Sequence, residues 1–147
     1  ILQVVHLDTG AVATGTTVMP RDDTIPQNTE GDQYMSLAIT PQNASSTLVI
    51  DVVWQGAISI SQDTILAVFR DSTANAIGAS VIGAMGADGA LLFSLSVKAA
   101  AVSTAATTFN VRLGPGAAGT TTFNGRAGVR HLGGVDSSSM RITEIGP

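Results

Sequence analysis

Apolar and polar side chains alternate with a period of two along most of this chain, the spacing of a strand whose successive residues face opposite sides of a sheet. Between Thr47 and Trp54, Leu48, Ile50, Val52 and Trp54 share one face while Val49, Asp51 and Val53 share the other. Thr107, Phe109, Val111 and Leu113 alternate with Thr108, Asn110 and Arg112, and Leu91, Phe93, Leu95 and Val97 with Leu92, Ser94, Ser96 and Lys98. Met35, Leu37 and Ile39 are set in the same way against Tyr34, Ser36 and Ala38. Further strands are predicted at Ile1 to Leu7, Thr64 to Arg70, Ile77 to Ile82, Thr120 to Phe123, Gly128 to Leu132 and Ser138 to Ile145. Helical periodicity is almost absent, and about ten short strands predict an all-β fold, an antiparallel sandwich or jelly roll.

Turn chemistry falls between these runs. Asp88-Gly89 and Asn124-Gly125 are dipeptides that accept positive φ at both centres of a type I′ turn, so each is expected to close a tight hairpin. From Asp8 to Asp32 the chain carries Pro20, Pro26 and several acids with no sustained period, which predicts an extended connection. Ile65 to Phe69 and Leu91 to Phe93 are apolar on both faces, whereas a strand of an exposed antiparallel sheet keeps one face polar. With few helix-forming stretches to cover that second face, another subunit is the expected cover.

Composition strengthens the assembly reading. The 147 residues suit one domain spanning 1–147, and a 44% hydrophobic share is that of a packed chain. Only 12% are charged, about half the usual share, so little charge is available to clothe an isolated surface. The net charge of −4 has the wrong sign for neutralising phosphates, which argues against a nucleic-acid partner. No cysteine is present, so disulfides and thiolate metal sites are excluded. No apolar stretch approaches the roughly 20 residues of a membrane span, and no membrane insertion is expected. The chain opens on Ile1 and not Met, from which an upstream region is expected, with this domain as the C-terminal part of a longer chain.

Motifs of enzyme chemistry fail on context. Gly114-Pro115-Gly116-Ala117-Ala118-Gly119 fits a dinucleotide-binding glycine pattern, with Asp136 near the spacing of its ribose-binding acid. That site needs a helix to open at the last glycine, and a β-branched run, Thr120-Thr121-Thr122, follows instead. Gly78-Ala79-Ser80-Val81-Ile82-Gly83 misses a nucleophile elbow because its second glycine comes one residue late. His6 and His131 are the only histidines and have no such elbow to serve. Asp22, Asp23, Glu30 and Asp32 form an acidic cluster whose oxygens suit calcium, but their spacing matches no EF-hand, and a solvated loop is the plainer account. Trp54 continues the apolar face of its strand, which points to packing before a ligand platform. No cofactor and no enzymatic activity are expected.

Several phrases carry a resemblance across nearly the whole chain, from about Leu2 to Ile145. They are Thr9-Gly10-Ala11-Val12-Ala13-Thr14-Gly15-Thr16-Thr17, Asp22-Asp23-Thr24-Ile25-Pro26-Gln27-Asn28-Thr29-Glu30-Gly31, Phe69-Arg70-Asp71-Ser72-Thr73-Ala74-Asn75-Ala76, Ala117-Ala118-Gly119-Thr120-Thr121-Thr122-Phe123-Asn124-Gly125 and Ser138-Ser139-Met140-Arg141-Ile142-Thr143-Glu144-Ile145. Together they resemble the C-terminal jelly-roll head module of tailed-bacteriophage tail-fibre and other virion fibre proteins. The resemblance implies a tumour-necrosis-factor-like, homotrimeric, non-enzymatic head on a virion, assembled in the host cytoplasm, displayed outside it and used in host attachment. It transfers no binding residues, and it leaves tail fibre, head fibre and capsid decoration open.

Two functions follow from different classes: binding of host-surface glycan by the fibre head, or a structural decoration or cap that stabilises the particle, with other virion proteins as its partners. A depolymerase comes third. The candidate ligand residues are Asn124, Arg126, Arg130 and His131, which lie on or beside the Asn-Gly turn with donors suited to sugar hydroxyls or acidic glycans. The competing account pairs Arg126 and Arg130 with acids across a subunit interface.

Overall fold

The computed structural model describes residues 1–147. In chain order the strands are β1 (Gln3–Thr9), β2 (Ala13–Gly15), β3 (Asp32–Ile39), β4 (Thr47–Ile58), β5 (Thr64–Arg70) and β6 (Gly78–Ile82). They continue with β7 (Ala90–Ala100), β8 (Thr107–Pro115), β9 (Thr121–Phe123), β10 (Gly125–Arg126), β11 (Val129–Arg130) and β12 (Ser138–Ile145). A short 3-10 turn at Leu132–Gly134 precedes β12. All pairings are antiparallel. One sheet runs β1-β12-β4-β7, with β9 and β2 attached beyond β12 on the same side of β4, and the other runs β3-β8-β5-β6. Successive long strands cross between the sheets, and the first and last lie side by side, which is the strand order of a jelly roll.

The faces follow the alternation in the sequence. Leu48, Ile50, Val52 and Trp54 from β4 meet Phe109, Val111 and Leu113 from β8, Leu66 and Val68 from β5, and Met140 and Ile142 from β12 in one core between the sheets. The strand at Ser138–Ile145 begins and ends where the pattern predicts it. Tyr34 departs from the pattern, which places it opposite Met35. The β3–β8 register shifts between Gln33 and Met35, and the extra residue of this bulge turns the phenol ring inward against Trp54 and Phe123, with centroids 5.7 and 5.2 Å away. Burial pushes the Tyr34 phenol well above its ordinary pKa, and the neighbouring Asp32 carboxylate adds to the rise.

The second apolar face of β5 is covered by this chain and not by another subunit. Ile65, Ala67 and Phe69 pack on Met19, which is fully buried, within the long connection between β2 and β3. That connection is anchored by Met19 N–H donating to Pro115 O at 3.0 Å and Gly31 N–H donating to Val18 O at 3.0 Å. It crosses β8 so closely that a Cβ on Gly114 would stand 2.6 Å from Thr17 O. Leu92 on β7 has no such cover and is 64% exposed. The segment from Asp8 to Asp32, expected as one extended connection, is interrupted by β2, a strand too short for its alternation to register in the sequence.

Neither expected type I′ turn forms where the dipeptides place it. Asp88 does adopt φ 58°, but Asp88-Gly89 lies on the crossing from β6 in one sheet to β7 in the other, so there is no hairpin for it to close. Asn124 has φ 56° and occupies the junction of β9 with β10, while the two-residue turn is Ala127-Gly128, with φ 50° and 76° between the paired Arg126 and Val129. Alanine at the first turn position gave no signal. The predicted strand at Gly128 to Leu132 shortens to β11 because Leu132, Gly133 and Gly134 all turn left-handed.

Glu144 is a charged residue with no exposed surface. It follows Met140 and Ile142 at the inward positions of β12, and its carboxylate accepts Gln3 Nε2 at 2.7 Å and the backbone N–H groups of Gln42 and Asn43 at 2.9 and 3.1 Å. Burial alone would raise its pKa. The donated hydrogen bonds outweigh it and hold the group from an ordinary 4.5 down to about 2.

Candidate functional site

The candidate site lies at a fork in the first sheet. Strand β4 is twelve residues long; one side pairs with β7 throughout, and the other pairs with β12 from Thr47 to Val53 and with β9 from Gly56 to Ile58. Where β12 and β9 part, Asn124 fills the gap. Its Nδ2 donates to Thr9 O at 2.8 Å and Ala11 O at 3.0 Å, and its Oδ1 accepts the Ser138 hydroxyl at 2.7 Å. The same hydroxyl accepts Gln55 N–H at 2.9 Å, and Asn124 N–H donates to Gln55 O at 2.9 Å. One buried amide thus ties the end of β1, the start of β12, the β9–β10 junction and β4 together.

From this junction the β10–β11 hairpin projects as a wall. Its base is tight, since a Cβ on Gly125 would sit 2.1 Å from Val129 O. On one side is a cleft of about 60 Å³ lined by Gly56, Ala57 and Ala90 and by the polar residues Gln55, Asp88, Arg126, His131 and Asp136. On the other is a broader depression of about 760 Å³ along Gly10 to Val12, with Val129, Arg130, Gly133 and Gly134. Within the cleft, His131 Nδ1 stands 3.7 Å from Asp136 Oδ2, and the carboxylate side chain is only 14% exposed. Neither histidine is hydrogen-bonded to a hydroxyl: the close polar neighbour of His6 is Asp8, at 3.3 Å.

The four candidate ligand residues therefore separate. Arg126 and His131 meet in the cleft, Arg130 faces the adjacent depression, and Asn124 is fully buried beneath both with its side-chain amide committed to the junction. Gln55, Asp88 and Asp136 join the lining without having been candidates from sequence. Asp88 stood out only as a turn residue and Asp136 only as a spacing match. Gln55 carried one weak signal, a polar residue beside a glycine after an apolar strand face.

The acidic cluster does not converge. Asp22 Oδ1 accepts Thr24 N–H at 3.0 Å, Glu30 Oε1 accepts Gln27 N–H at 3.0 Å, and the two oxygens of Asp32 accept Thr17 N–H and its hydroxyl at 3.0 Å each. No three His, Asp or Glu side chains, Asp23 among them, are placed to hold a metal ion. The glycine pattern at Gly114 runs out of β8 into a turn and then β9, with no helix.

No family model matches the chain, and no curated protein matches it in sequence. Solved structures share its general arrangement at low identity. A CBM36-1 domain of a multidomain xylanase from the hindgut metagenome of Trinervitermes trinervoides is 10% identical over 99% of this chain and 100% of that domain, with a TM-score of 0.44. The structure of infectious bursal disease virus, Gx strain, is 10% identical over 97% of this chain and 32% of that one, with a TM-score of 0.48. The insecticidal delta-endotoxin Cry8Ea1 from Bacillus thuringiensis is 8% identical over 96% of this chain and 20% of that one, with a TM-score of 0.42. These likenesses concern the β-sandwich fold alone.

Proposed function

We propose that this chain is a non-enzymatic head domain of a tailed-phage virion fibre that binds host-surface glycan as a homotrimer. The observation that carries the binding site is the cleft at the fork, which Gln55, Asp88, Arg126, His131 and Asp136 line together with small residues. Gln55 and Arg126 stand on strands β4 and β10, and the connections beside them bring in Asp88, His131 and Asp136; convergent polar groups of this kind suit hydroxyls and charged substituents. A histidine-activated hydroxyl nucleophile is not assembled, since neither histidine is hydrogen-bonded to a hydroxyl. The resemblance in sequence supplies the virion setting, and exposed Leu92 on the edge strand β7 supports association between copies.

The test is titration of the purified protein with host-surface polysaccharide. Arg126→Ala and His131→Ala are expected to weaken binding with unchanged melting. Arg130→Ala, on the far side of the hairpin, is expected to bind as the parent does. Equal affinity in all three variants would remove the cleft from the site.

A second reading, decoration of the particle through protein contacts, is favoured by Val129, Leu132 and Val135. These are 63%, 76% and 81% exposed along the hairpin and the turn that follows. Under that reading Leu132→Ser would abolish attachment to particles and leave polysaccharide binding at background.

A further inference from the structure

The aromatic rings of this chain are all spent on packing. Trp54, Phe69, Phe93, Phe109 and Phe123 are at most 4% exposed, and Tyr34 lies against Trp54 and Phe123. No ring face remains on the surface to stack on a sugar, so a neutral glycan would have no apolar platform to rest on. Affinity at the cleft has to come from hydrogen bonds and charge.

The charges are distributed unevenly. Arg21, Arg70 and Arg141 pair with Asp63, Asp71 and Asp51, and Arg112 is tied to the carbonyls of Glu30 and Gly31. Arg126, Arg130 and Lys98 are exposed with no carboxylate in ion-pair range, although acids outnumber bases and the net charge is −4, and of these three only Arg126 lines the cleft. An arginine left without a partner presents a planar fork of donors matched to a carboxylate or phosphate. Asp88 and Asp136 line the same cleft, and their carboxylates accept from hydroxyls.

From this placement, and resting on the glycan-binding reading above, we infer that the cleft selects acidic glycans. An anionic substituent, carboxylate or phosphate, is held by Arg126, and neighbouring hydroxyls are held by Gln55 and Asp136.

The experiment uses the full chain on an array of neutral, carboxylated and phosphorylated bacterial oligosaccharides. Every hit is also displayed in carboxyl-reduced or dephosphorylated form, which separates the two sources of anion. Hits are expected among acidic glycans only, falling about tenfold or more when the anion is removed and by a similar factor in Arg126→Gln, with Arg126→Lys retaining part of the affinity. Binding to the parent glycan is also expected to weaken as salt rises. Neutral hits, or hits indifferent to removal of the anion, would overturn the selection for acid and leave glycan binding standing. No hits at all from protein shown by its melting curve to be folded would overturn both.

Discussion

Asn124→Ala removes the clamp at the fork without touching the residues that line the cleft, and its cost can be worked from the contacts. Three side-chain hydrogen bonds disappear, to Thr9 O, Ala11 O and the Ser138 hydroxyl. Each is worth about 1 kcal/mol net, and more where the partner is left buried and unpaired. Alanine must also hold φ 56°, a left-handed conformation that costs an L side chain roughly 1 kcal/mol. The sum is about 4 kcal/mol, a large share of the 5–15 kcal/mol typical of a domain. Asn124→Gly loses the same hydrogen bonds and escapes the backbone cost, so it should be less destabilised than the alanine variant by about 1 kcal/mol. Asn124→Asp keeps an acceptor for Ser138 but points a carboxylate at two carbonyl oxygens, and should be at least as damaging as alanine. Urea unfolding of the three variants measures these differences. A loss below about 1 kcal/mol for Asn124→Ala, or a glycine variant weaker than the alanine one, would refute the clamp as described.

Glu144 makes stability depend on acid: its folded pKa, near 2, lies below the ordinary 4.5, so its contribution is complete above about pH 4.5 and is lost as pH falls through 2. Glu144→Gln should flatten the decline of urea midpoints across that window, and an unchanged slope would show that other carboxylates govern it. Met19→Ala should cost about 2–5 kcal/mol by opening a cavity over Ile65, Ala67 and Phe69, and an unaltered midpoint would mean that the long connection is only draped over the sheet. Light scattering should read a trimer that Leu92→Glu weakens; a stable monomer of the parent chain at micromolar concentration would refute the homotrimer.

The layers of the sandwich could be read from alternation because most long strands, β5 excepted, have one wet and one dry face, and period two reports that difference directly. Strand β4 illustrates this: all four residues placed on its inner face are buried. The failures have different physical causes. Tyr34 was misplaced by one bulged residue, which reverses the sense of alternation. The apolar outer face of β5 looked like a subunit contact because a connection without periodicity gives no hint of which sheet it crosses, and Met19, with Ala76, seals it. The cleft was half legible: Arg126 and His131 are close in sequence, whereas Gln55, Asp88 and Asp136 reach it only through the fork in β4. Asn124 drew attention for its turn chemistry, but the left-handed conformation it tolerates is used to aim a buried amide.

The position of β12 bears on how the molecule comes to be folded. Met140 and Ile142 of β12 are completely buried, and β12 lies hydrogen-bonded between β1 and β4. Until it arrives, β1 has no partner in its sheet, and the inner face of β4 lacks a flank. Synthesis from the N-terminus would therefore leave an open, apolar seam until Ser138–Ile145 emerges, and closure would await β12 and the loss of chain entropy that joins such distant segments. Folding of this kind is slow and leaves sticky intermediates, so a truncation within Ser138–Ile145 should be felt as a failure to reach the native state and not as a local loosening.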